Sequence, residues 1–534
     1  MSNKLFTEFV GASPNARLEK STPFDFMSEV DKTIKRNTPN VSYTENGAKG
    51  YRTTGKALLD LNFQVSSLRN KTENEIYEMF MKAFYEDPLI AWKWLFYCRD
   101  IRGGGLGERR TFRAVIKEIS ETRPKEMALL IPYVAEYGRY DDLWCLLGTS
   151  LQPIVIKLIN AQLEADIEAY QNNKSISLLA KWLPSRNASS KDTKKKAEII
   201  IKELGITERT YRKLLSKLRA KLNVVETLMT AKKWSVIDYN AVPAKANLKY
   251  NSAFLRNDEE RRRAYLAALE KGDKSVKINA GTLFPHEIVH KYNGVSHDTA
   301  LEQLWKNLPD YVKGGQNVMV VADGSGSMTS CVDYASRVTA LEVANALAIY
   351  FAERASGVYK DQYITFSHLP QYVSFKHAKS LREKMQIALR HNEVADTNIE
   401  AVFNLILKTA RENKMSQDDL PQTILVISDM QFNSCVTNNR GDRANDTLFD
   451  NIARRYKKAG YLMPRLCFWN LMGRSNSTIP VIQNEMGVAL VGGFSPAICK
   501  MVLSNQTDPY EALLEQLNTE RYQPIEDVLK GENK

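Results

Sequence analysis

Hydrophobic positions follow two different rhythms along the chain. From about Leu58 to Leu269 they recur at helical spacing, in runs such as 76–85, 110–121, 153–170 and 197–204, and strand-like runs are nearly absent. Successive helices joined by short turns predict stacked helical pairs, a solenoid-like α region, although no period is clean enough to name a repeat type. After about Pro309 the rhythm changes. Short apolar runs at 317–322, 363–366, 372–375, 423–427, 465–469 and 488–491 alternate with helical stretches at 335–355, 381–390, 399–410 and 447–459. Buried strands alternating with helices predict a parallel, doubly wound, Rossmann-like α/β domain. Ahead of both, residues 1–50 are polar, with scattered Gly, Pro, Asn and Ser, and read as an extended arm. The expected division is an arm at 1–50, a helical region at 51–308 and an α/β domain at 309–534.

Composition narrows the class. At 534 residues the chain is too long for one small core, and 43% hydrophobic with 25% charged residues excludes wholesale disorder and collagen-like repeats. The start, through Lys20, has no basic segment followed by a long apolar run, so no secretory signal is expected. The most apolar stretch, 338–351, is interrupted by Glu342 and Asn345, which argues against a membrane span. The six cysteines (Cys98, Cys145, Cys331, Cys435, Cys467 and Cys499) are far apart and form no CxxC pair. They read as reduced thiols of a cytoplasmic protein.

Charge is informative through its position. The formal net charge is +12, and residues 171–250 alone hold 18 Lys/Arg against 6 Asp/Glu, so the rest of the chain is balanced. In the helical run 207–222, Tyr211, Leu214, Leu215, Leu218 and Leu222 share one face. Arg209, Arg212, Lys213, Lys217 and Arg219 fall on its flanks and opposite side, and Lys194, Lys195 and Lys196 cluster just upstream with Lys191. A helix docked by its apolar face would show a cationic one, suited to RNA phosphates. The bland alternative is a solvated lysine-rich surface.

Candidate metal chemistry lies in the α/β domain. Its first strand runs into Asp323-Gly324-Ser325-Gly326-Ser327. In an open α/β sheet, ligands bind beyond the carboxyl ends of the strands. A carboxylate and two hydroxyls can converge there if the glycines let the loop curl, and such hard oxygens suit Mg²⁺. Thr397 precedes a helical run, and Asp429 ends the strand 424–428. In these residues the sequence resembles the von Willebrand factor A domain and its metal-ion-dependent adhesion site: DxSxS in the first loop, Thr in the second, Asp in the third. The resemblance implies that Asp323, Ser325, Ser327, Thr397 and Asp429 hold a divalent cation, with one position open to an acidic group from a partner. A polar turn without a metal is the plain alternative. Nothing there supplies a nucleophile and base, so the site reads as one for binding rather than catalysis.

Two further motifs need weighing. Arg99-Asp100-Ile101-Arg102-Gly103-Gly104-Gly105-Leu106-Gly107 joins two helical runs; with no GxxxxGK[ST] and no preceding strand, a glycine-capped turn is preferred over a nucleotide loop. His286-Glu287-Ile288-Val289-His290 is a literal HExxH, which on a helix would put both imidazoles on one face for zinc, with His297 or Glu302 as a third ligand. It falls, however, at the hinge between the two regions.

An RDIRGG-type turn in a helical array, followed by an A domain with a strand ending in Phe468-Trp469-Asn470-Leu471, resembles the Ro ribonucleoprotein family. The stretches 43–61, 211–226 and 242–250 are more similar to a poorly characterised bacterial, viral and plant family of the same architecture. This resemblance implies HEAT-like helices closed by a von Willebrand factor A domain, a small or misfolded RNA as partner, and no enzymatic activity. The expectation is thus a non-catalytic, Ro-like RNA-binding protein with a Mg²⁺ adhesion site. The alternatives are a metal-dependent protein-interaction scaffold that binds no RNA and, third, a zinc metalloprotease through HEIVH.

Overall fold

The computed structural model describes residues 40–43, 49–295, 297–312, 317–333, 337–392, 397–430, 446–471, 488–502 and 508–531. The expected arm at 1–50 lies almost wholly outside the described residues.

Six strands form one sheet: β1 (Val318–Asp323), β2 (Gln362–Phe366), β3 (Tyr372–Ser374), β4 (Thr423–Ser428), β5 (Arg465–Asn470) and β6 (Val488–Gly492). Their spatial order is β6-β5-β4-β1-β2-β3. Neighbours are parallel except β2 and β3, which pair antiparallel, so the expected all-parallel sheet is corrected at one edge. The connection from Phe366 to Tyr372 allows a tight turn but not a crossover, which takes about a dozen residues or more. Sequences such as VMVVAD and TILVIS are buried at every position, as strands covered on both faces must be.

The helix Ala340–Arg354 is the centre of the α/β region. It starts later than its pattern suggests, because Cys331–Asp333 and Val338–Thr339 first pair as a short antiparallel ribbon. Thr339 and Glu342 then form a capping box. Residues from Ala340 to Ala352 are buried nearly all round, since one side packs on β1, β2 and β4 and another on the helix Pro285–Tyr292.

Among the described residues from Ala57 to Lys306, every regular element is α- or 3-10-helical, as expected. Typical is Arg109–Thr122, which buries Phe112, Val115, Ile116 and Ile119 at helical spacing. Pro88–Arg99 has no polar face, because it is enclosed by its helical neighbours and by Pro509–Leu517 and Gln523–Gly531 from the chain's other end.

The two regions share a core rather than a linker. One continuous hydrophobic cluster runs from Leu58 to Ile525, and Tyr43–Lys534 form a single compact unit. The helical region meets the α/β region at both of its ends. Its last helices pack on Ala340–Arg354, while its first, Ala57–Phe63, packs on β6. There Asn470 donates to the Phe63 carbonyl at 3.1 Å, and Ser66 Oγ donates to the Asn470 carbonyl at 3.1 Å. Lys93 pairs with Glu526, and Arg521 Nε donates to Asp100 at 2.8 Å. Among the described residues no helix is long and apolar enough to cross a membrane.

Candidate functional site

Strand order fixes where a ligand site belongs. The chain moves from β1 to β2 on one side and returns to β4 on the other, so the crevice between the carboxyl ends of β1 and β4 is the topological switch point. Register aligns Ala322 with Ile427, which sets Asp323 level with Ser428. The same row continues through Asn470 to Gly492. The first helical elements seal its β5–β6 half, and the β1–β4 half carries oxygen donors.

Asp323 is 2% exposed. Its Oδ1 accepts from the Ser325 backbone N at 2.9 Å, which curls the loop as expected, and its Oδ2 accepts from Ser428 Oγ at 2.6 Å. The Ser325 and Ser327 hydroxyls lie 3.1 Å apart. Asp429 follows β4, is buried, and acts electrostatically on Asp323. Burial first, and the Asp429 carboxylate second, push the Asp323 carboxyl up to about 6. Two carboxylates in a low-dielectric crevice repel each other, and a cation between them would reverse that penalty. Met430, directly after Asp429, holds a left-handed backbone at φ 65°, a conformation that costs an ordinary side chain energy.

Thr397 is buried just ahead of the helix Ile399–Glu412, whose first turn is capped by Asn398. Because this helix leads to the amino end of β4, it begins at the carboxyl rim, on the same side of the sheet as Asp323. The donor set is all oxygen, with two acids and several hydroxyls, and fits Mg²⁺ better than a softer metal. Ser428 was missed in the sequence. The signal available was a single hydroxyl in an otherwise apolar strand, at the level of Asp323.

The HEIVH segment does form a helix, but its three polar side chains are spent separately. Glu287 accepts from the Phe284 backbone N at 2.9 Å, capping its own helix, and pairs with Lys245. His290 Nδ1 lies 2.9 Å from Glu342. His286 is buried between the rings of Phe284 and Phe494, each with its centroid at 5.5 Å, and its Nδ1 has no hydrogen-bond partner. Desolvation drives its pKa well below the usual range, with Arg69, Lys245 and His290 adding to the effect. Glu302, considered as a third ligand, instead accepts from the Leu381 backbone N at 2.9 Å and from Tyr292 Oη at 2.9 Å. The zinc reading therefore has no converging ligands and no free general base.

The basic window folds into Lys191–Glu203 and Glu208–Lys221. The apolar stripe is placed as expected, with Tyr211, Leu215 and Leu218 buried and Leu214 and Leu222 partly so. Lys195, Arg209, Arg212, Lys213 and Lys217 are exposed, and Lys194 and Lys196 are half-buried. Lys196 pairs with Asp192 at 2.6 Å and Arg212 lies 4.0 Å from Glu208, exposed pairs that hold little energy. Arg219 is a correction. Its guanidinium donates to the Ala180 and Leu183 carbonyls at 2.8 and 2.7 Å and to Ser185 Oγ at 2.9 Å, so it ties down the preceding turn instead of facing outward.

Comparison with known proteins places the chain. Residues 44–148 and 188–321 match the model of a domain of unknown function, DUF2828, and residues 317–530 match another, DUF7788. An uncharacterized protein, L728, of Acanthamoeba polyphaga mimivirus is 30% identical over 526 residues, covering 91% of this chain and 89% of its own. The chain belongs to that protein's family. A viral relative accords with the resemblance drawn from the sequence. The crystal structure of the Deinococcus radiodurans RO (RSR) protein is similar over 73% of this chain and 86% of its own, at 15% identity and a TM-score of 0.39.

In this family member the glycine-rich turn is structural, as preferred. Asp100, buried, accepts from the Gly103 backbone N at 2.9 Å and from Arg521 Nε at 2.8 Å. A Cβ at Gly105 would lie 2.1 Å from the Tyr97 carbonyl, so the turn cannot take a side chain there.

Proposed function

We propose that this protein is a non-catalytic RNA-binding protein that also holds a divalent cation, Mg²⁺, at the β1–β4 crevice. The observation that carries the RNA reading is the cationic side of two consecutive helices. Arg209, Arg212, Lys213 and Lys217 reach solvent while the opposite stripe is locked in the core, so the charges are displayed on a rigid support. Closure of the helical region by the α/β region at both ends supports a Ro-like arrangement, in which the α/β region completes a ring of von Willebrand factor A type. Small or misfolded RNA is the partner this reading assigns.

For the cation, Asp323, Ser325, Ser327, Thr397 and Asp429 would be the holding residues, with Ser428 orienting Asp323. A bound cation would supply a fixed positive charge able to take an acidic group. A second reading follows from that: a scaffold that captures a partner's carboxylate at the metal. The buried acid pair favours it independently of RNA.

Anisotropy of a labelled RNA titrated from 50 to 200 mM salt separates these. Replacing Arg212, Lys213 and Lys217 with Glu should weaken RNA binding at least ten-fold and flatten its salt dependence, since about three phosphate contacts are lost. Unchanged binding would overturn the RNA reading. In parallel, Mg²⁺ should raise the melting temperature of the wild type and not of Asp323→Asn; a response equal in both would overturn the metal site.

A further inference from the structure

An arginine-rich cluster in the helical region lies apart from the basic helices' exposed face. Asp141 and Asp142, in the turn Tyr140–Leu146, are already claimed by three arginines. Buried Asp142 accepts from Arg99 Nε at 2.8 Å, Arg113 Nε at 2.6 Å and the Arg139 backbone N at 2.9 Å. Asp141 accepts from Arg139 Nε and Nη2 at 2.8 and 2.6 Å and forms an ion pair with Arg113, whose Nη2 lies 2.8 Å away. Gly138 permits this crowding, because a Cβ there would lie 2.5 Å from Asp142 Oδ2 and 3.1 Å from Arg99 Nε.

Arg109 lies one turn before Arg113 on the same face of its helix and, among the described residues, makes no hydrogen bond or ion pair. It is exposed, at the start of the helix Arg109–Thr122. Desolvation by its surroundings lowers its pKa, and the charges of Arg139 and Arg113 lower it further. Three guanidinium groups thus share two carboxylates and a fourth stands beside them without one, an excess that attracts an anion.

Two features narrow the anion. The Arg139 guanidinium lies 3.9 Å from the centroid of the Trp182 ring, and Lys181 Nζ lies 5.4 Å from it, so half-buried Trp182 brings an aromatic surface to the cations. The cluster also continues toward the basic helices, since Arg219 of Glu208–Lys221 donates to the Ala180 and Leu183 carbonyls on either side of Lys181 and Trp182. A planar guanidinium fork matches phosphate oxygens, and an indole accepts a stacked base. We propose that Arg109, Arg139 and Lys181 with Trp182 form a phosphodiester-and-base site for single-stranded RNA. This rests on the RNA reading above and extends it from the face of Glu208–Lys221 to a defined site.

The test uses the full chain and a 5′-fluorescein, mixed-sequence, single-stranded RNA of about twelve nucleotides, a length suited to such grooves, with an abasic oligomer of equal length alongside. Arg109→Glu should bind the RNA about ten-fold more weakly and lower the salt slope by about one, as loss of one phosphate contact does. Its melting temperature should not fall below that of the wild type, because Arg109 makes no hydrogen bond or ion pair among the described residues and an acid at a helix N-terminus is favourable. Trp182→Phe should weaken binding of the RNA and leave the abasic oligomer unaffected. If Arg109→Glu keeps full affinity and slope while the Arg212/Lys213/Lys217 variant loses binding, this site is refuted and the RNA reading stands. If Trp182→Phe changes both oligomers equally or neither, the base contact is refuted. A wild type that retains no RNA even at low salt overturns the reading and this site with it.

Discussion

Acidification should loosen the junction at His286 by a calculable amount. The imidazole is buried between Phe284 and Phe494, its Nδ1 has no partner, and Arg69, Lys245 and His290 all oppose a second positive charge. Its pKa is therefore far below the ordinary 6.5 in the folded chain and close to 6.5 in the unfolded one. Between those two values the unfolded state binds more protons, so stability rises with pH and is lost as pH falls below 6.5. From pH 7.5 to 5.5 the loss is at most about 1.4 kcal/mol, the ceiling set by protonation of the unfolded imidazole. His286→Phe preserves the aromatic stack and removes both the titration and an unsatisfied buried nitrogen. Urea unfolding followed by tryptophan fluorescence at pH 7.5, 6.5 and 5.5 should show the variant's advantage over wild type growing as pH falls, by up to about 1.4 kcal/mol across that range. A constant difference at all three values would refute the burial argument, because other titrating groups are common to both proteins and cancel.

Two structural predictions follow from the junctions. Asp142→Asn should cost about 3–5 kcal/mol, since it leaves buried Arg99 without its counter-charge; a loss below about 1 kcal/mol in chemical denaturation would show that the network is dispensable. Gly492→Ala puts a Cβ 2.3 Å from the Phe63 carbonyl oxygen and should destabilise the chain by about 1–3 kcal/mol, freeing Ala57–Phe63 to limited proteolysis. Gly531→Ala, with nothing within 4 Å, is the control and should leave the protease pattern unchanged.

The sequence by itself determined which faces are buried and where the chain changes secondary structure. Tyr211, Leu215 and Leu218 announced their stripe, and the alternation after Pro309 announced a sheet, because periodicity records burial residue by residue. The positions of the Asp323 loop and Asp429 at neighbouring strand ends were legible for the same local reason: both end apolar strands. Partners were not legible. Nothing near Arg219 in the chain says that its guanidinium goes to the carbonyls of Ala180 and Leu183, nor does HEIVH reveal that Glu342 takes His290 while Glu302 caps a helix beginning at Leu381. Asp100 and Arg521 meet across most of the chain's length. Local pattern fixes how much water a side chain loses; only the tertiary fold decides which polar group replaces that water. Among the described residues, the fold leaves Arg109 with no such group.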